Sequence, residues 1–130
     1  MFNPNVESYL SITADYLLKE VNKGNNLVII SAATPLYSGL PSSTRKKLGD
    51  HYHDVAIAEQ DAISFISGIG KAKAKPVLLV ASTFIQRAYD QLIQDLSLND
   101  NPATIIVNGG GITPASDTHI GLFDIPMFCS

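Results

Sequence analysis

Pro76-Val77-Leu78-Leu79-Val80-Ala81-Ser82-Thr83-Phe84-Ile85-Gln86-Arg87-Ala88-Tyr89-Asp90-Gln91 runs from a strand into a helix. Val77 to Val80 is an unbroken apolar run introduced by Pro76, the pattern of a strand buried on both faces. From Thr83 the spacing changes. Phe84, Ala88, Leu92 and Asp95/Leu96 fall along one side, predicting an amphipathic helix from Thr83 to Leu98.

Working outward, the same alternation recurs. Leu27-Val28-Ile29-Ile30 is a second buried strand, Tyr52 to Val55 a short one, and Thr104-Ile105-Ile106-Val107 a fourth after Pro102. Ala58 to Lys73 carries Ala62, Ile63, Phe65, Ile66 and Ile69 at helical spacing. Gly68 and Gly70 weaken that helix and imply close packing against a neighbour. Near the start, Asn3 or Asn5 is placed to cap a helix containing Val6, Tyr9, Leu10, Ile12, Leu17, Leu18 and Val21, ended by Lys23-Gly24. Ser42 or Ser43 caps a short helix through Leu48. With no hairpin signal, the expected fold is α/β: a three-layer α/β/α domain with a mostly parallel sheet. Ligands of such sheets collect at the carboxyl ends of the strands. Here those ends are the Ser31 to Pro41 loop, the Val55 to Glu59 turn, the Ala81 to Phe84 turn and the Asn108 to His119 loop.

Composition narrows the function classes. The 130 residues are 45% hydrophobic and 16% charged, which suits one packed core and excludes a disordered chain. A net charge of -3 offers no footprint for nucleic acid. Arg45-Lys46-Lys47 and Lys71, Lys73 and Lys75 are read as solvated helix faces or ends. No apolar run approaches a membrane span, and the N-terminus lacks a signal-peptide pattern. The lone Cys129 has no disulfide partner, so a cytoplasmic location is expected. There is no HExxH, no Cys/His ligand cluster, no GxSxG and no GxxxxGK[ST], so no metal site is expected. Asn108-Gly109-Gly110-Gly111 is a weak nucleotide signal, because it does not follow GxGxxG into a helix.

Glu59 is the residue with the clearest chemistry. It begins a helix among Ala56, Ile57, Ala58 and Ala62, and poorly solvated surroundings favour a carboxyl that holds or shares a proton near neutrality. The alternative is a helix-start Glu favoured by the macrodipole. Phe84 is either a core aromatic or a ring that stacks on a ligand. Arg87 is either a site residue or a helix Arg pairing with Asp90 or Asp54. His119 follows a Gly-rich loop; His51 and His53 are read as surface or structural residues.

Asp54-Val55-Ala56-Ile57-Ala58-Glu59-Gln60, Ser82 to Gln91, and Thr118-His119-Ile120-Gly121-Leu122-Phe123-Asp124 resemble the pyrimidine-binding domain of transketolase-type thiamine diphosphate enzymes. Within that superfamily the similarity is greatest to the deoxyxylulose-5-phosphate synthases, from about Leu27 to Ser130. The resemblance implies that Glu59 bonds to the aminopyrimidine of thiamine diphosphate and that Phe84 packs against its ring. It also implies that Ile57 lines the cofactor, and that Arg87 and His119 face the substrate, with His119 able to move protons.

Four departures stand against the pattern. Asp61 replaces a His, Ala81 replaces a Tyr, and Asn108-Gly109-Gly110-Gly111 replaces Asp-Arg-Ala-Gly. The Arg that would hold a substrate phosphate is thus absent, and the loop Thr113 to Asp117 is one residue short. The Gly-Asp-Gly that marks the Mg2+ and diphosphate site is also missing, and is expected on a separate domain or subunit. Residues 1–130 are therefore expected to form one domain that is incomplete at its C-terminus, inactive alone, and partnered in a homo- or hetero-oligomer. The competing reading is a decayed, non-catalytic paralogue acting as an assembly or regulatory module.

Overall fold

The computed structural model describes residues 8–111 and 118–129. The first helix, α1 (Tyr9–Asn22), is capped at Ser8, whose hydroxyl accepts from the Ser11 N–H while the Ser11 hydroxyl accepts from the Ser8 N–H. This is a reciprocal cap; the expected caps Asn3 and Asn5, with Val6, lie outside the described residues. Then follow β1 (Leu27–Ser31), α2 (Ser42–Leu48), β2 (Tyr52–Asp54), α3 (Glu59–Lys71) and β3 (Lys75–Ala81). The segment after β3 is α4 (Ser82–Ile85), a 3-10 turn (Gln86–Ala88), α5 (Tyr89–Gln91) and a π-helical stretch (Leu92–Ser97). The last elements are β4 (Thr104–Asn108) and α6 (Asp124–Cys129).

The four strands form an all-parallel sheet in the order β2-β1-β3-β4. Register places Ile29 between Tyr52 and Val77, and Leu79 beside Ile106. Alternation along the strands then divides the core into two. Leu27, Ile29, Val77 and Leu79 pack with Ala14 and Leu17 of α1 and Leu48 of α2. Ile30, Leu78 and Val80 pack with Ala62, Ile63 and Ile66 of α3 and with Ile85 and Ala88. Helices thus cover both faces, giving the expected three layers. Among the described residues no helix is long and apolar enough to cross a membrane.

The expected single helix from Thr83 to Leu98 is not what forms. It winds tightly through Gln86–Ala88 and loosely through Leu92–Ser97. Polar ties fasten the end of this stretch to α3. The Asp95 carbonyl accepts from the Ser67 hydroxyl at 2.7 Å, and the Asp95 carboxylate accepts from the Ser64 hydroxyl.

The two helical glycines of α3 differ. Gly70 is buried, and a Cβ there would fall on the Pro102 carbonyl oxygen; Gly68 has nothing within 4 Å. The β1–β2 rim is held by Asp54. Its Oδ1 accepts from the backbone N–H groups of Ala33 at 3.0 Å and Ala56 at 2.9 Å. Both alanines are left-handed, with φ of 54° and 59°, a conformation that costs about 1 kcal/mol each without glycine.

Urea denaturation checks both features. Gly68→Ala should stabilise by about 0.5–1 kcal/mol through helix propensity, whereas Gly70→Ala should destabilise by about 1–3 kcal/mol through overpacking. Asp54→Ala, which strips two strained turns of a shared charged acceptor, should destabilise by about 1–3 kcal/mol. An unchanged midpoint for Asp54→Ala would show that the alanines hold their conformation unaided.

Candidate functional site

Burial of Glu59 follows from the rotation of α3. Ala62, Ile63 and Ile66 are fully buried, and each isoleucine contributes about 1.5–3 kcal/mol by leaving water. Glu59 lies one turn before Ile63 on the same stripe, so docking that stripe carries the carboxylate inward to 3% exposure. Ala58 supplies no side-chain cap to α3, and the first turn instead holds Glu59 and Asp61. The helix N-terminus favours negative charge there.

Glu59 meets the segment that leaves β3. Arg87 Nη1 lies 3.5 Å from Glu59 Oε2, and the carboxylate makes no other hydrogen bond among the described residues. The partners that the sequence offered Arg87, Asp90 and Asp54, are not used. The Arg87 guanidinium carbon also sits 5.6 Å from the centroid of the Phe84 ring. Phe84 in turn meets His119 edge-on, with ring centroids 5.4 Å apart and planes at 84°. Glu59, Arg87, Phe84 and His119 therefore form one contiguous group at the carboxyl end of the sheet. Ile57, two residues before Glu59, is 76% exposed on the same turn.

His119 reaches this group because its loop folds back. The Gly111 N–H donates to the Gly121 carbonyl at 2.6 Å, and these two glycines form an isolated antiparallel bridge. Gly121 is buried so tightly that a Cβ would lie 2.6 Å from Ser82 Oγ and against the Gly109 carbonyl. The loop residues 112–117, including the Thr113 to Asp117 stretch, lie outside the described residues. Thr118 Oγ1 is 2.8 Å from His119 Nδ1.

Ser82 and Tyr37 were not singled out from the sequence. The Ser82 hydroxyl and Asn108 Oδ1 are buried without a hydrogen-bond partner among the described residues. The Tyr37 hydroxyl fills the place a Cβ at Gly109 would need, and Gly109 itself has φ of 68°. Motif spacing carried a trace of this only in the glycines at 109 and 121.

The other candidates lie elsewhere or are structural. His51 Nδ1 is 2.7 Å from the Leu27 carbonyl at the amino end of β1, and His53 meets Phe65 edge-on at 6.1 Å. Arg45 lies over the Tyr52 ring at 5.9 Å, and Lys75 donates to Asn25 Oδ1 at 3.0 Å. Burial pushes the Tyr52 phenol up from its ordinary value, opposed by its 2.6 Å hydrogen bond with Ser31. Among the described residues, no group of three or more His, Cys, Asp or Glu side chains is placed to hold a metal ion.

The family described as transketolase, pyrimidine binding domain, matches residues 8–130. Among curated relatives, the 1-deoxy-D-xylulose-5-phosphate synthase of Symbiobacterium thermophilum is 38% identical over 122 residues, spanning 94% of this chain and 19% of the relative. The proteins of that name from Halothermothrix orenii and Klebsiella pneumoniae are 40% and 41% identical over 119 residues, 91% of this chain and again 19% of each relative. The chain therefore spans about a fifth of the length of these relatives. With a four-stranded parallel sheet between helical layers and a match over nearly its whole length, the chain belongs to the transketolase pyrimidine-binding domain family.

Proposed function

We propose that this chain forms the aminopyrimidine side of a thiamine diphosphate site in a transketolase-like transferase resembling deoxyxylulose-5-phosphate synthase. The observation that carries the reading is the state of Glu59: nearly buried, at a helix start, with a single partner at 3.5 Å. A buried carboxylate so poorly supplied with donors is costly unless a ligand completes its shell. A heteroaromatic ring presenting a protonated nitrogen fits that need. Phe84 is beside it to stack on the ring, and the exposed Ile57 offers an apolar wall.

When bound, thiamine diphosphate would supply an acidic thiazolium carbon as the nucleophilic centre. In this reading Glu59 would hold the aminopyrimidine by sharing a proton at its ring nitrogen. Arg87 keeps the carboxylate in place while its guanidinium remains half-exposed on the substrate side. His119, edge-on to Phe84, moves protons to and from substrate oxygens. The diphosphate and its Mg2+ belong to another domain or subunit, in keeping with relatives about five times longer than the matched segment. The working unit is then a homo- or hetero-oligomer with the cofactor at an interface.

A second reading, a non-catalytic assembly or regulatory module, is favoured by one observation. The turn after β4 is Asn108-Gly109-Gly110-Gly111 and carries no cation.

Calorimetry with thiamine diphosphate and magnesium on the assembly containing the diphosphate-binding domain separates the two. The proposal expects saturable binding, weakened roughly 2- to 10-fold by Phe84→Ala, and turnover reduced about a hundredfold or more by Glu59→Ala. Binding and turnover that are both indifferent to Glu59→Ala would defeat the catalytic reading. An assembly that never takes up the cofactor would favour the module.

A further inference from the structure

The rim beside Glu59 is short of positive charge. In the segments leaving the carboxyl ends of the strands, 32–41, 55–59, 82–88 and 109–121, Arg87 is the only Lys or Arg. That guanidinium already serves the Glu59 carboxylate and the Phe84 ring. The helix N-termini at this rim do not compensate. Glu59 and Asp61 occupy the first turn of α3, and α4 is a single turn.

Next to this charge-poor rim, Tyr37 takes the space at the end of β4. Its hydroxyl lies where a Cβ of residue 109 would fall, and its Cζ would be 3.0 Å from that atom. The loop bearing Tyr37 is tied to the same strand end, since Asn108 Nδ2 donates to the Tyr37 carbonyl at 2.8 Å. Gly109 is thereby kept bare for two independent reasons, the neighbouring phenol and its own positive φ. Two buried polar atoms without partners among the described residues, Ser82 Oγ and Asn108 Oδ1, border the spot. Ser82 packs on Gly121, two residues from His119, so this corner adjoins the group of Glu59, Arg87, Phe84 and His119.

We infer that Tyr37 is a specificity-determining residue, and that the substrate-side corner formed by Tyr37, Ser82, Asn108, Gly109 and Gly121 accepts a small uncharged hydroxyl-bearing carbonyl compound, not its phosphate ester. This rests on the thiamine diphosphate reading given above. Among the described residues of this chain, a phosphate brought here meets no Lys or Arg but Arg87, has carboxylates at Glu59 and Asp54 on the same rim, and finds the space beside residue 109 filled by Tyr37. A hydroxyl group needs only what the corner offers: the Tyr37 phenol, and a serine hydroxyl and an amide oxygen without partners among the described residues.

The thiamine-loaded assembly containing this chain tests the inference with glycolaldehyde and glycolaldehyde phosphate as paired acceptors and a saturating 2-oxo acid, pyruvate, as the common donor that loses CO2 and passes on its acyl unit. The expected kcat/KM is about tenfold or more higher for glycolaldehyde. The double variant Tyr37→Ser with Gly109→Arg, which opens the space and adds a bidentate cation, should lower KM for the phosphate by about tenfold. Thiamine diphosphate affinity by calorimetry should not change in that variant. A parent assembly that prefers glycolaldehyde phosphate overturns the inference. So does a folded double variant with an unaltered acceptor ratio. The parent ratio needs no variant, so misfolding of the double variant leaves the question decided. Loss of thiamine diphosphate binding in the parent would instead remove the underlying reading, and the two failures are told apart by the calorimetry.

Discussion

The apolar stripe of α3 governs the rest of this structure. Ala62, Ile63 and Ile66 must face Ile30, Leu78 and Val80 if either layer is to leave water, and that requirement fixes how the helix is rotated. Glu59 shares the stripe. Its carboxylate is therefore carried out of water along with neighbours whose burial contributes about 1.5–3 kcal/mol for each isoleucine. The position is set before any ligand is considered. Function, on this view, exploits a carboxylate that the core has already placed.

Much of this was legible in the sequence because it depends on local periodicity. The strands at Leu27–Ser31, Lys75–Ala81 and Thr104–Asn108 announce themselves as apolar runs, and α3 as an amphipathic helix. The segment after β3 hid its breaks for a physical reason. A tight 3-10 turn followed by a loose π stretch averages back to an α-helical period, so Phe84, Ala88, Leu92 and Leu96 keep one side in contact with the core. Periodicity cannot distinguish that compensation from one continuous helix. Gly68 and Gly70 show a similar limit. The same residue type, two positions apart, marks open solvent in one case and a backbone contact in the other.

The site was legible only in pieces. Glu59, Phe84 and His119 could be picked out by motif, but their adjacency rests on pairs far apart in the chain. Arg87 finds Glu59 across 28 positions, passing over Asp90 three residues on and Asp54 farther back. Asp54 does something else that spacing could not reveal: it serves two left-handed alanines. Alanine gives no warning of such a turn, as glycine or asparagine would. His119 depends on backbone closeness at Gly121, where the absence of a side chain is the informative feature.

The energetics of Glu59 bear on which of the two functional readings is the better one. A chain kept only for its shape gains nothing from a buried carboxylate with one distant partner. A glutamine or an apolar residue of similar size would fill the same place on the α3 stripe without a charge to desolvate. The Arg87 pair does not repair the deficit, because at 3.5 Å and half-exposed it is screened by water on the arginine side. Local strain of this sort tends to persist where a bound group completes what the fold leaves unsatisfied. The cation-poor turn after β4 bears on a different question, because on the proposed reading it belongs to the substrate side, and Glu59 and Phe84 to the cofactor side. A changed acceptor and a retained cofactor face account for both observations together. Wholesale decay accounts for only the first.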